Sequence, residues 1–429
     1  MSSLVFRFPL IWILSACLVG QAIAQNPDLD MGFDAGISSD EFLMSAAIQD
    51  DGRIIVAGRF TTFQGFARRG VVRLLPDGTL DPSFGPVQLS TIHEIHALEI
   101  DPAGRILIGG YFFGFDGTPI NCIARLNPDG SRDLTFNPGS GANYSVNEII
   151  IQPDGMILLA GGFMEFNGAS RHGLVRLLPD GSLDTEFNVG SGFSSLSDPD
   201  YPYVHCIELD EEGRILVGGW FDSYAGVSTG KLVRLLANAD LDTSFNPLIG
   251  PWDAEINDIL VLPDQRIRIV GSFVAVNGQP QGGIAGLLSN GTIDPSFISG
   301  DDIVQNVSHL MDDVSGILIA GMFSSYNGMP RLQLIRVDHN GQLDQTYDIE
   351  AGLVGAQPYI QALCRQPDSK TVVVGNFESY NGVQRIDVLR LGEPTDCLGA
   401  PGGLAMPGTP CDDGIFFTTN DTWTAACLC

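Results

Sequence analysis

Positive charge is what this sequence has least of. It sets 22 Lys and Arg, of which only Lys231 and Lys370 are Lys, against 51 Asp and Glu, for a formal net charge of −29. Such a chain repels phosphate backbones and anionic headgroups, which excludes nucleic acid as a partner. Only 17% of residues are charged and 44% are hydrophobic, so disorder is excluded and a sizeable core is expected. Beyond residues 8–19, no stretch approaches the roughly 18 apolar residues of a spanning helix, so membrane insertion is not expected. The 3.6-residue period of an amphipathic helix is missing throughout. Also missing are a Gly-x-Ser-x-Gly elbow, a phosphate loop and a His-Glu-x-x-His pair, so no catalytic residue is assigned. His93-Glu94-Ile95-His96 comes nearest to a metal pair, but residues three apart in a strand face opposite ways, which argues against zinc. Asp-Gly-x-x-Asp runs suit calcium only superficially, because tight turns require Asp before Gly anyway.

The chain opens on an export signal over residues 1–24: Arg7, the apolar run, then Ala22-Ile23-Ala24 before Gln25. A rival reading takes Leu14-Ser15-Ala16-Cys17 as a lipobox that would anchor the protein through an acylated Cys17. Both readings place the protein outside the cell or at its surface. Cys122, Cys206 and Cys364 are scattered through the body and are expected as free thiols. Cys397, Cys411, Cys427 and Cys429 crowd the last 33 residues.

Aligned on itself, the chain repeats about every 52 residues. A Phe closes a glycine-containing strand at Phe60, Phe112, Phe163, Phe221, Phe273, Phe323 and Phe377, with a Gly five residues later each time. Leu-Asp-x-x-Phe or a close variant ends at Phe33, Phe84, Phe136, Phe187, Phe245, Phe297 and Tyr347. Each unit reads as four short strands, A to D. In the third copy A is Glu148–Ile151, B is Met156–Phe163, C is Gly173–Leu178, and D lies around Leu183–Phe187. The seven strand-D motifs are out of phase with the seven B–C cores, since the first precedes its core and the last core has none after it. A solenoid gains nothing from this offset. A ring gains closure, with the N-terminal strand completing the last blade, so the expected fold is an all-β, seven-bladed propeller over residues 25–392.

Turn chemistry sets the register. In Leu75-Pro76-Asp77-Gly78, Pro suits the second position of a type I turn and Gly78 the left-handed position, so 75 pairs with 79 and Arg73 lies across from Asp81. The same spacing recurs at Arg125/Asp133, Arg176/Asp184, Arg234/Asp242 and Arg336/Asp344, while Arg390 and Asp30 are left as half-pairs that fit each other. In the fifth unit Gly286 replaces the Arg and leaves Asp294 without this partner. The pairs read as cross-strand ion pairs within blades, worth roughly 0.2–1 kcal/mol where exposed, and not as ligand contacts.

Gly-x-Phe, then aromatic-Asn-Gly, then Arg-Leu-x-Pro-Asp-Gly-x-Leu-Asp-x-x-Phe, recurring over about residues 29–392, resembles the delta-60 repeat family of secreted bacterial proteins. The resemblance implies a β-propeller on an exported protein and carries over no settled activity. Kelch propellers share a period near 50 and paired glycines, but only Gly109-Gly110, Gly161-Gly162 and Gly218-Gly219 match, and the kelch family ranks second.

Function is expected on the rim where the D–A and B–C loops emerge together. The step from Phe163 to Phe221 is 58 residues, and its insertion carries Asp198, Asp200, Tyr201 and Tyr203. Neighbouring loops add Trp252, Asp301 and Asp302, a mix of aromatic platforms and acceptors that suits a glycan or a protein surface. The residue opening strand A is polar in six units, including His96, Asn147, His205 and Asn257, and these side chains either ring a channel mouth for a ligand or satisfy backbone groups and channel water. Residues 393–429 hold no Lys or Arg, five acids and four Cys, and resemble a cysteine-rich surface-protein module. A tail so short needs about two disulfides, with Cys427 and Cys429 each bonded to Cys411 or Cys397. Its Asp and Asn side chains offer weak oxygen ligation to calcium, and no other cofactor is expected. Since the chain stops on its last Cys with no sorting domain behind, a longer parent protein or a truncated gene is expected. The leading reading is a secreted, monomeric, non-catalytic binding or adhesion module. The alternatives are a structural spacer of a larger surface protein and a polysaccharide-active enzyme using carboxylates at the channel mouth.

Overall fold

Seven three-stranded antiparallel sheets repeat the same order, A–B–C, from the inside outward. The structure, a computed structural model, describes residues 27–36, 39–196, 202–299, 307–313 and 315–392, all within one compact unit. The A strands are Phe42–Ile48, Leu89–Ile100, Val146–Ile151, Tyr203–Leu209, Glu255–Val261, Val307–Asp313 and Tyr359–Arg365. Each touches the next, and the seventh touches the first, so together they form a cycle of inner strands. This is an all-β propeller. Its core lies between blades rather than inside any one: Leu158 and Leu174 of blade 3 pack with Ile207 and Val217 of blade 4, and Val372 and Val388 of blade 7 pack with Ile54 and Val56 of blade 1.

Strand B of the third blade runs Ile157–Gly161 and strand C Leu174–Leu177, one or two residues inside the expected limits. Strand D is shorter than expected. It is a single antiparallel bridge per blade, Leu74 with Leu80 and Leu177 with Leu183 among them, flanked by hydrogen bonds such as Leu75 N to Thr79 O. The motif's own Asp ends it: Asp81 Oδ1 accepts from Ser83 N at 2.8 Å, an Asx turn that swings Phe84 beneath the guanidinium of Arg73, 5.0 Å from the ring centroid. Near the chain ends Leu29 bridges Leu391, and Asp30 N donates to Arg390 O at 2.9 Å.

The Arg–Asp pairs lie within the blades as expected and are largely buried, so the small value of an exposed pair does not apply to them. Arg73 Nε lies 2.8 Å from Asp81 Oδ2, and both side chains are almost wholly inaccessible. The Nη1 group reaches across to the next blade: Arg125 Nη1 donates to Pro179 O at 2.7 Å and Arg390 Nη1 to Pro76 O at 2.6 Å. One arginine therefore neutralises an acid, stacks on a ring and ties two blades together.

Candidate functional site

Every A strand carries a β-bulge, and in every blade the bulged residue is the position that is polar in six of the seven units: Met44, His96, Asn147, His205, Asn257, Ser308 and Gln361. A bulged residue leaves the ladder and re-aims its side chain. Six of these seven, all but Ser308, line a cavity of about 370 Å³ enclosed by the A strands. The bulge also explains the glycine of Gly-x-Phe. A Cβ on Gly219 or Gly375 would collide with the carbonyl oxygen of Tyr203 or Tyr359 across the bulge.

Parts of this ring satisfy backbone. Asn147 Nδ2 donates to Val204 O at 3.0 Å and Asn257 Nδ2 to Val307 O at 2.9 Å, each tying its blade to the next. His205 Nδ1 stands 3.4 Å from Asn257 Oδ1, and His96 Nε2 lies 3.2 Å from Glu94.

Four carboxyl groups that sequence reasoning passed over share the cavity wall: Glu99, Glu148, Glu208 and Asp258. Desolvation pushes Glu99, Glu208 and Asp258 up to about 7. Burial, together with repulsion from Asp258 and Glu208, drives Glu148 well above the carboxylate range. Asp258 still accepts the Leu310 N–H at 2.7 Å from the next blade, and desolvation takes the neighbouring His309 down to about 4. Among the described residues, no Lys or Arg lines the wall. Among the described residues, no three or more His, Cys, Asp or Glu are placed to hold a metal ion. The signal in the sequence was an acid set among apolar residues in several of the A strands, as in Asn147-Glu148-Ile149-Ile150-Ile151.

On the rim above the cavity, the Tyr111 ring lies 5.0 Å from Phe113 and 5.0 Å from Tyr144. Tyr203 lies 6.2 Å from Trp220 and 6.4 Å from His205. Trp252 stands 76% exposed on the loop before the fifth A strand. Asp198, Asp200, Tyr201, Asp301, Asp302, Cys17 and the four tail cysteines lie outside the described residues. Cys122, Cys206 and Cys364 are free thiols.

The repeat matches a family profile, the domain of unknown function (DUF5122) beta-propeller, seven times: at 49–84, 102–136, 152–187, 213–245, 262–297, 316–347 and 366–392. The chain belongs to the DUF5122 beta-propeller family. No curated protein matches it. Among solved structures, it is similar to puromycin hydrolase at 15% identity and a TM-score of 0.48, covering 90% of this chain and 58% of that one. It is similar to YCF48 bound to D1 peptide at 12% identity and 0.46, covering 87% and 99%. Virginiamycin B lyase from Staphylococcus aureus matches at 13% identity and 0.41, covering 69% and 83%. Each DUF5122 segment begins near the A–B turn and, in six of the seven blades, ends on the aromatic of the Leu-Asp-x-x-Phe motif or its variant. His96, Asn147, His205, Asn257, Tyr144, Tyr203 and Trp252 fall between the segments. These residues at the cavity mouth thus lie outside the matched segments, whereas Tyr111 and Trp220 lie within them.

Proposed function

We propose that the chain is an exported, non-catalytic binding module whose loop-rich rim takes an extracellular glycan or protein. The carrying observation is the contrast within each blade: bulge, opposing glycine and Arg–Asp–Phe device repeat, whereas the bulged residue changes from His to Asn to Ser to Gln. A purely structural need repeated by symmetry is served by one residue type, so variation on a fixed scaffold favours recognition. Aromatic groups beside that mouth support the same reading. The Leu29–Leu391 bridge supports a ring closed by the N-terminal segment acting as outer strand of blade 7. We further read residues 393–429 as a disulfide-stapled appendage and residues 1–24 as an export signal.

The test is an array of glycans and extracellular proteins probed with the mature chain, residues 25–429. Specific binding that is lost when Asp198, Asp200 and Tyr201 are replaced together by Ser, or on Tyr203→Ala, supports the rim. Silence across the array assigns a structural spacer instead, and turnover of a bound polymer assigns an enzyme.

A further inference from the structure

Resting on the rim reading above, we infer that the arc of rim over blades 2 to 4 is a subsite for an uncharged polysaccharide chain. Strand register fixes the geometry. Two residues before each bulge, strand A faces the residue of strand B that lies between the Gly and the Phe of Gly-x-Phe: Glu94 faces Tyr111 in blade 2 and Tyr203 faces Trp220 in blade 4. The corresponding residue of blade 3 is Gly162. A Cβ there would lie 3.0 Å from Tyr144 Cδ1, so the Tyr144 ring covers the place a side chain would take, and it reaches to 5.0 Å from Tyr111. Three successive blades thus present half-buried aromatic surface at one level, and the remaining blades put Arg59, Ser272, Met322 and Asn376 there.

The same three blades bring His96, Asn147 and His205 to the cavity mouth beside the arc. Half-buried rings offer flat faces to the C–H faces of pyranose rings while imidazole, amide and carboxylate groups meet the hydroxyls, the combination of apolar platform and few placed polar groups that fixes a ligand's orientation. Charge selects the class. Glu94 stands in the arc, no Lys or Arg is found among the described residues of the wall beneath it, and the whole chain carries a formal net charge of −29, so uronate or sulfated chains are repelled and neutral chains are not.

Affinity electrophoresis of the mature chain tests this in native gels containing laminarin, hydroxyethyl cellulose, xyloglucan or galactomannan, with polygalacturonate and alginate as anionic counterparts. At least one neutral polymer should retard the protein. Tyr111→Ala and Trp220→Ala, on separate blades, should each raise its dissociation constant about tenfold or more, whereas Trp220→Phe keeps the ring and should stay within about threefold. Circular dichroism of each variant guards against misfolding, and either alanine variant alone suffices. Neutral retardation that both variants keep overturns the arc and leaves the rim standing. So does retardation by the anionic polymers alone. A failure to bind any polymer overturns the arc, and a silent protein and glycan array beside it takes the rim reading down as well.

Discussion

Arg268 Nη2 lies 3.1 Å from Asp294 Oδ2, although the eight-residue spacing that serves the other blades is broken here by Gly286. The guanidinium comes from strand B, where other blades carry Leu, Ile or Val, and crosses the gap that Gly286 leaves to stack 4.5 Å over Phe297 and donate to His339 O at 2.7 Å. The charge has moved one strand sideways and still meets the acid, the ring and the next blade, although Nη2 now makes both polar contacts and the buried Nε has no hydrogen-bond partner. Arg268→Leu should therefore cost about 3 kcal/mol in urea denaturation, because Asp294 is left buried with only the Ser296 hydrogen bonds and Arg266 at 3.5 Å to hold its charge. Gly286→Arg alone should also destabilise, since even a Cβ there meets Phe297 and Arg268. The double variant recreates the arrangement of the other blades and should recover most of the loss. Simple addition of the two penalties would contradict the exchange.

Arg390 and Asp30, separated by 360 positions in sequence, make the corresponding pair between the chain ends, with Nη2 at 2.8 Å from Oδ2 and Lys370 Nζ also at 2.8 Å. If this pair helps close the ring, Asp30→Ala and Arg390→Ala should be non-additive by about 1–3 kcal/mol in a double-mutant cycle. Strict additivity would place the N-terminal segment outside the cooperative fold.

The cavity wall makes stability depend on pH. Glu99, Glu208 and Asp258 titrate near 7 in the fold and in the ordinary carboxylate range when unfolded. Their contribution is therefore complete at acid pH and is lost as pH rises through about 7. His309, depressed to about 4, runs the other way: its contribution is complete above the ordinary histidine range and is lost as pH falls towards 4. His205, also lowered by burial, acts with His309, and the two effects oppose each other up to the ordinary histidine range, above which the carboxyls prevail. The melting temperature should thus fall between pH 6.5 and 8, and Asp258→Asn should flatten that slope. A melting temperature that rises over this window, or a slope that Asp258→Asn leaves alone, would refute the assignment.

Gly375 has an ordinary backbone φ, so space rather than conformation requires it. Gly375→Ala should cost roughly 1–3 kcal/mol by forcing the bulge at Gln361 to shift. Chemical denaturation that finds the variant as stable as the wild type would mean that the bulge is not a fixed feature.

Blade number, the Pro-Asp-Gly turns and the Arg73–Asp81 register were legible because each depends on residues close in sequence. The burial of those pairs was not, since it is the next blade that covers them. Nor was Arg268: its role depends on lateral register with Gly286, on another strand. The polar residue of strand A stood out in the repeat, but its bulge could be found only by seeing that Gly219 and its equivalents must clear a carbonyl. Glu99, Glu148, Glu208 and Asp258 hid inside apolar runs that read correctly as inner strands. The aromatic arc joins side chains of three blades, with Gly162 marking a place that Tyr144 fills from a loop.

The central claim is that one face of the propeller, the rim around the cavity mouth, is the binding face. Hydrogen exchange of residues 25–429 with and without the ligand found on the array tests it most directly. Protection is expected in residues 143–147, 203–206 and 219–222, with none in the opposite-face turns at 75–79, 127–131 and 178–182. Protection of those turns, with the rim unchanged, would contradict it.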